Sequence, residues 1–454
     1  MNNIVVFRPL FLLCMGTTYL VSVIFNTVFL KNLISIFAIL VVIVYFTFLK
    51  KTTKFIASIL LTVSFSLFLI KSNYYELFLS FNENVNILSI FIFVPLLGIP
   101  LKAARYLDYL EIVYNFYINS TRKLYAITNL MTYGLSVLMN LGAITLVHQF
   151  VNTHNFKEFS SLKYRALAQG YPLAIFWSPY YISMALLLSY FNVSWLELFP
   201  VGFVIAGVGF ILGILLESNK KSVEIYSSTD IYKKEIKQAW KKTVELIVII
   251  ILLTIIIMAM EQIINISVIP TISFLSIILS IIWTICYQPI RYLLKELKQF
   301  TQTNWARMGN ELVLFISAGV FGQAIINIGA GDLIIYFLNI TGINHPLVLI
   351  FLIMILTCFL ALIGFHPIIT ITVLAVTFSS SPYFEEFHRI LAMGMLVSWA
   401  LSIPISPFSG LTLLLTGLTR ENVLKGIKTN LVFVVILLFL SFAILSFLHL
   451  FFRY

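Results

Sequence analysis

Four places in this chain combine residue types that could hold an ion or a small anion inside an otherwise apolar sequence. Asn140 ends one long apolar stretch and His366 interrupts another. Ser178-Pro179 opens WSPYYISMALLL, and Ser406-Pro407 opens ISPFSGLTLLLTG. A proline inside a helix removes a hydrogen-bond donor and displaces the carbonyl four residues earlier. In hydrocarbon those freed groups must be met by protein, water or ligand, so each Ser-Pro break offers carbonyls to a cation. The half-helix that follows presents free N–H groups and partial positive charge, which suits an anion. The candidate substrate- or ion-binding residues are therefore Asn140, Gly142 and Thr145; Ser178, Pro179, Tyr180 and Ser183; His366, Thr370 and Thr372; and Ser406, Pro407, Ser409 and Thr412. His366 has two readings. Imidazole titrates near neutrality and ionisable groups at membrane depth are costly and usually functional, so it relays a proton or contacts an anion; alternatively it caps its own turn.

These positions come in pairs. Phe91-Ile92, Gly98 and Asp108 are matched by Phe315-Ile316, Gly322 and Asp332 at an offset of 224 residues. Asn140 and His366 are 226 apart, and the two Ser-Pro-aromatic turns 228 apart. So small a drift is the mark of an internal duplication with short insertions. Paired, interrupted hydrophobic segments point to a transporter's binding site. Asp108 and Asp332 are also read as helix-end markers.

The elements that must position these residues follow from composition. Hydrophobic residues make up 60% of 454 residues and charged residues 10%, against about 25% charged in a soluble domain. The chain is an all-α polytopic membrane protein. About 11 spans of roughly 20 residues are read at 5–25, 27–48, 55–71, 86–101, 171–190, 195–216, 244–268, 271–289, 312–338, 391–417 and 430–452. Two further apolar stretches, about 122–152 and 346–380, are read as re-entrant hairpins broken near Asn140 and at Gly364-Phe365-His366-Pro367. Residues 1–85 form scaffold spans or a homodimer surface, and 86–216 the first repeat with its broken helix at 171–190. Residues 217–243 form a basic cytoplasmic connector. Residues 244–452 hold scaffold spans and the second repeat, with its broken helix at 391–417.

With the N-terminus inside, 25 of the 29 Lys and Arg residues fall in inner segments. This follows the positive-inside rule. It places Tyr454 outside and makes the second repeat an inverted copy of the first. The net charge of +11 then reflects orientation and anionic inner-leaflet lipid, not nucleic acid. A bacterial cell membrane is the expected location. Cys14, Cys286 and Cys358 are widely spaced within apolar segments and give neither a metal site nor a disulfide framework. No cofactor is expected beyond a coupling ion.

Together, a span, a hairpin and a Pro-broken helix repeated in inverted orientation resemble the ion transporter superfamily. That group includes the divalent anion:sodium symporters and the citrate and arsenite permeases. FISAGVFGQAIINIGAGDLIIYFL resembles the span before the second hairpin in that group, and PISPFSGLTLLLTG its broken helix. The resemblance covers about 86–452. It implies a secondary transporter coupled to Na⁺ or H⁺, with an alternating-access, elevator-like mechanism. The Ser-Asn-Thr signature of its carboxylate symporters is reduced here to Asn140 in Met139-Asn140-Leu141, and is replaced in Phe365-His366-Pro367. That weakens a dicarboxylate as substrate.

The expected function is secondary transport of a small organic anion, with cation/proton antiport or inorganic oxyanion efflux as variants. The alternative class is a membrane-embedded enzyme acting on lipid-linked sugar. The short outer loops count against it, and no Walker-type loop points to nucleotide-driven transport.

Overall fold

The computed structural model describes residues 2–151, 159–217, 233–264, 267–305, 308–329, 336, 340, 345–452 and 454. It is built of helices, and no β-strand occurs among the described residues. Three apolar helices open the chain: α1 (Asn2–Phe25), α2 (Val28–Phe46) and α3 (Lys51–Ile70). Thr27 caps α2 by accepting a hydrogen bond from the Leu30 amide, which satisfies one of the orphan donors of the first turn.

A composite follows: α4 (Tyr74–Ser80), α5 (Val85–Phe93), a 3₁₀ turn over Val94–Leu97, and α6 (Gly98–Ala103). The sequence reading gave one span at 86–101. Pro95, which cannot donate to the preceding turn, tightens the helix there instead. α7 (Tyr106–Tyr117) then lies between α6 and α8 (Thr121–Met139), which is followed by α9 (Gly142–Val151). α10 (Ser160–Ile175) starts about three turns earlier than the broken helix read at 171–190, and α11 (Ile182–Phe191) completes it. α12 (Trp195–Leu216) opens on a capping box between Ser194 and Glu197.

The second half begins with α13 (Lys233–Ile264), whose start absorbs the lysine-rich end of the connector. Residues 218–232 of that connector lie outside the described residues. α14 (Val268–Tyr287) leads to the amphipathic α15 (Ile290–Phe300) and α16 (Gly309–Asn327). The span read at 312–338 is described only through its α16 part, and Asp332 lies outside the described residues. The chain finishes with α17 (Pro346–Leu362), α18 (Pro367–Ser379), α19 (His388–Ser402), α20 (Gly410–Thr419) and α21 (Val423–Phe452).

Among the described residues, ten helical elements are long and apolar enough to cross a membrane. The eleventh crossing read from the sequence is α10–α11, too short in each half to count alone. The chain is a multi-pass membrane protein.

Polar contacts sort the helix ends into two groups. At one end lie the Lys102–Glu296 pair at 3.0 Å, the Arg165–Glu217 pair at 2.7 Å, and the Lys50 amide on Asn310 Oδ1 at 2.9 Å. This is the basic end. At the other, Asn86 donates to Ser189, His388 Nδ1 faces the Phe191 carbonyl, and the Tyr454 hydroxyl donates to the Glu197 carbonyl at 2.8 Å. The α5–α6 composite runs from the second end to the basic end. α16 runs the other way, from Asn310 to Asn327, whose amide donates to Glu76.

Candidate functional site

Both Ser-Pro segments are unwound. In the first, α10 stops at Ile175 and helix resumes at Ile182. The protein fills the gap with its own donors: the Trp195 indole N–H donates to the Trp177 carbonyl at 2.7 Å, and the Ser178 hydroxyl accepts from the Tyr180 amide at 3.3 Å. The Trp177 indole in turn donates to the Tyr133 hydroxyl on α8 at 2.7 Å. Gly202 on α12 lets the break come this close, because a Cβ there would lie 1.9 Å from the Phe176 carbonyl oxygen. Ser178, Pro179, Tyr180 and Ser183 are all buried.

The second break runs through a short 3₁₀ turn, Ile403–Ile405, to Ser409. The Ser409 hydroxyl donates to the Ile403 carbonyl at 2.7 Å and accepts from the Thr412 amide at 3.1 Å, so one side chain closes the break and caps α20. Ser406, Ser409 and Thr412 are buried, Pro407 half-buried, and Phe408 exposed.

The α8–α9 and α17–α18 pairs each turn sharply. At the first tip Asn140 takes a positive φ of 51°, a region asparagine tolerates better than most residues. Its side-chain oxygen accepts from the Leu141 amide and from the Tyr171 hydroxyl on α10. Tyr181, in the first break, donates to the Ser136 carbonyl one turn before the tip at 2.8 Å. At the second tip Gly364 supplies the positive φ, and a Cβ there would meet the Phe408 ring at 2.7 Å. The first tip also reaches the second break: a Cβ on Gly410 would lie 3.0 Å from Leu141.

His366 is half-buried and caps α18, its Nδ1 accepting from the Ile368 amide at 3.3 Å. His345-Pro346 does the same for α17 through the Leu347 amide. Thr370 is half-buried beyond it, and Thr372 is buried without a hydrogen bond to its hydroxyl among the described residues.

A cavity of about 570 Å³ opens beside the first tip. Asn140, Gly142 and Thr145 line it, with Leu414 of α20 on one side and Lys102, Glu296, Gln299, Thr303 and Asn304 towards the basic end. Among the described residues that line it, the one cation, Lys102, is paired with Glu296, and the rest of the described polar lining is neutral amide and hydroxyl. The Ser178 and Ser406 segments and the His366 tip are not part of this lining. Among the described residues no group of three His, Cys, Asp or Glu side chains could hold a metal ion.

Sequence reasoning missed Gln299, Thr303 and Asn304, which sat in a segment read only for its positive charge. It also missed His148, buried on α9, and a glycine pair. Gly170 on α10 lies against the Asn129 carbonyl of α8, and Gly394 on α19 against Ile350 of α17. The two are 224 residues apart, an offset shared with the Phe91–Phe315 match but not with the 226 and 228 of the matches that flank Gly170, so they did not stand out as a pair in the sequence.

No family model and no curated protein matches the chain. Among solved structures it is similar in fold to the YdaH transporter of Alcanivorax borkumensis, a protein described as having an unusual topology. The TM-score is 0.51 at 15% identity, covering 87% of this chain and 97% of that one.

Proposed function

We propose that the chain is a secondary active transporter of a small organic anion, coupled to Na⁺ or H⁺ and working by an elevator-like alternation of access. The observation that carries this reading is the convergence of one tip, at Asn140, with both unwound segments beside the cavity of about 570 Å³. The α8–α9 and α17–α18 pairs then serve as re-entrant hairpins, entering from opposite faces. Residues 86–216 and the second half from α16 onward form an inverted repeat. Three features support it: the antiparallel run of α5–α6 and α16, the matched breaks, and the Gly170 and Gly394 contacts of each broken helix with its hairpin. The transporter-like fold is in keeping with this, as is the resemblance to the ion transporter superfamily.

The substrate is bound by neutral donors and helix ends. Asn140 and Thr145 offer an amide and a hydroxyl, Gly142 opens the N-terminus of α9, and Lys102 is neutralised by Glu296. A small, weakly charged anion fits such a lining better than a multiply charged one, which would need free Arg or Lys. Ser178, Pro179, Tyr180 and Ser183 in the first break, with Ser406, Pro407, Ser409 and Thr412 in the second, would hold the coupling ion by backbone carbonyl and hydroxyl oxygens. His366, Thr370 and Thr372 would line the second approach to it. The basic end faces the cytoplasm, and Tyr454 the outside.

The test is a thermal-stabilisation screen of purified protein against small carboxylates and oxyanions, with and without Na⁺. One anion class should stabilise the protein, and Asn140→Ala should abolish that ligand-induced shift when it is read against the variant's own ligand-free melting point, which falls because the Leu141 and Tyr171 hydrogen bonds are lost. Proteoliposomes should then accumulate that anion under an imposed Na⁺ or H⁺ gradient. A stabilising anion whose effect survives Asn140→Ala and Thr145→Ala unchanged would overturn the site.

A further inference from the structure

A second groove, of about 630 Å³, runs between α7, α8 and α13, and almost all of its surface is apolar. We propose that it is a binding site for one acyl chain of an anionic phospholipid from the leaflet at the basic end. The inference rests on the membrane-spanning fold alone and does not require the transport reading.

The groove has a lipid's polarity. At its mouth stand Lys123, Tyr117 and Trp240, with the Trp240 indole N–H donating to the Tyr117 hydroxyl at 2.9 Å. Beyond them the walls are Leu130, Leu246, Ile247 and other aliphatic side chains. Tryptophan and tyrosine favour the headgroup level, and lysine reaches from there to phosphate. Lys123 is joined near this mouth by Arg122, one residue before it, and by Lys237 and Lys241 beside Trp240. All four are exposed, and among the described residues no ion pair engages them.

The depth also matches. From Lys123 to Leu135 along α8 is about 18 Å at 1.5 Å per residue, and from Trp240 to Ile250 along α13 about 15 Å. Half of a hydrocarbon core of about 30 Å is about 15 Å. Both helices run away from the basic end, so mouth and floor coincide on the two walls. Gly134 lies near the floor, and a Cβ built there meets nothing within 4 Å. The backbone itself leaves the channel open at that point. Leu130 and Ile247 are about half exposed on the flank, so the groove opens sideways to the bilayer, and a chain can enter it without crossing protein.

The occupant is tested on the full chain in detergent by native mass spectrometry, titrating dioleoyl phosphatidylglycerol against dioleoyl phosphatidylcholine. Wild type should retain phosphatidylglycerol selectively, with a preference of about fivefold for each basic side chain engaged. Gly134→Leu, which fills the groove from within, should lose the retained lipid at a melting temperature no lower than that of wild type. Lys123→Gln should keep lipid binding but reduce the headgroup preference. Retention of the same lipid with the same preference in Gly134→Leu would overturn the proposal. So would a wild-type dimer that Gly134→Leu converts to monomer with no change in lipid, which would assign the groove to a second copy of the chain.

Discussion

Gly202→Ala isolates the contact that lets the first break exist. The added Cβ would stand 1.9 Å from the Phe176 carbonyl oxygen, 2.7 Å from its carbon and 3.2 Å from the Trp177 Cα. Carbon–oxygen approaches are comfortable from about 3.3 Å, so α12 and the break must separate by roughly 1.4 Å. The Trp195–Trp177 hydrogen bond, at 2.7 Å, cannot absorb that and remain within about 3.2 Å. Overpacking costs about 1–3 kcal/mol, and the lost hydrogen bond adds about 0.5–1.5 kcal/mol. Alanine's better helix propensity returns about 1 kcal/mol, leaving a net loss of about 0.5–3.5 kcal/mol. Gly207→Ala is the control: it lies on the same helix, and its Cβ meets nothing within 4 Å, so it gains the propensity term alone. Reversible unfolding in mixed micelles should place Gly202→Ala well below wild type and Gly207→Ala at or above it. Equal midpoints for the two variants would refute the close-approach argument.

Trp195→Phe keeps the ring but removes the donor to the break; the stranded Trp177 carbonyl should cost about 1–3 kcal/mol, read in the same unfolding assay. His366→Ala should lose about 0.5–2 kcal/mol as a deleted cap while His366→Asn restores it, so transport lost in the Asn variant would report on the imidazole itself. Glu421, between α20 and α21, is held below its ordinary value of 4.5, first by the Lys425 ammonium and then by the Ser160 hydroxyl. A depressed carboxyl contributes stability that is present above its unfolded value and lost as pH falls through the folded one. Glu421→Gln should therefore flatten the acid limb of the stability profile below about pH 4.5 and change little near neutrality.

Much of this architecture was legible because membrane helices write their interruptions in few residue types. Ser178-Pro179 and Ser406-Pro407 stood inside apolar runs, where only a break explains them. Asn140 and Gly364 supplied the residues that positive φ favours. The positions of α7 and α15 were less legible, since an amphipathic helix lying beside a span merges with it in an apolar count. Long-range polar contacts could not be read at all. Trp195 looks like an interfacial anchor, and nothing local says that its indole meets a carbonyl 18 residues earlier. Tyr171 and Tyr181 likewise read as ordinary membrane aromatics until the fold brings them to Asn140 and Ser136. Asn304 and Thr303 join Thr145 in one cavity only through tertiary packing.

The buried side chain of Gln169 imposes an order of assembly. Its carbonyl oxygen accepts from the Tyr125 hydroxyl, 44 residues earlier, which is already synthesised when α10 emerges. Its amide N–H donates to Asn430 on α21, 261 residues later, at 3.1 Å. Hydrocarbon offers no water as a stand-in partner, and an unmatched amide costs several kcal/mol there. While the ribosome makes everything from α11 to α20, α10 therefore sits half-satisfied, a latch with one side waiting. A nascent chain arrested before α21 should expose α10 to limited proteolysis, and extension through Asn430 should protect it; equal protection in both would separate the latch from the order of assembly. Translation of α21 becomes the step that gives the buried Gln169 its second partner.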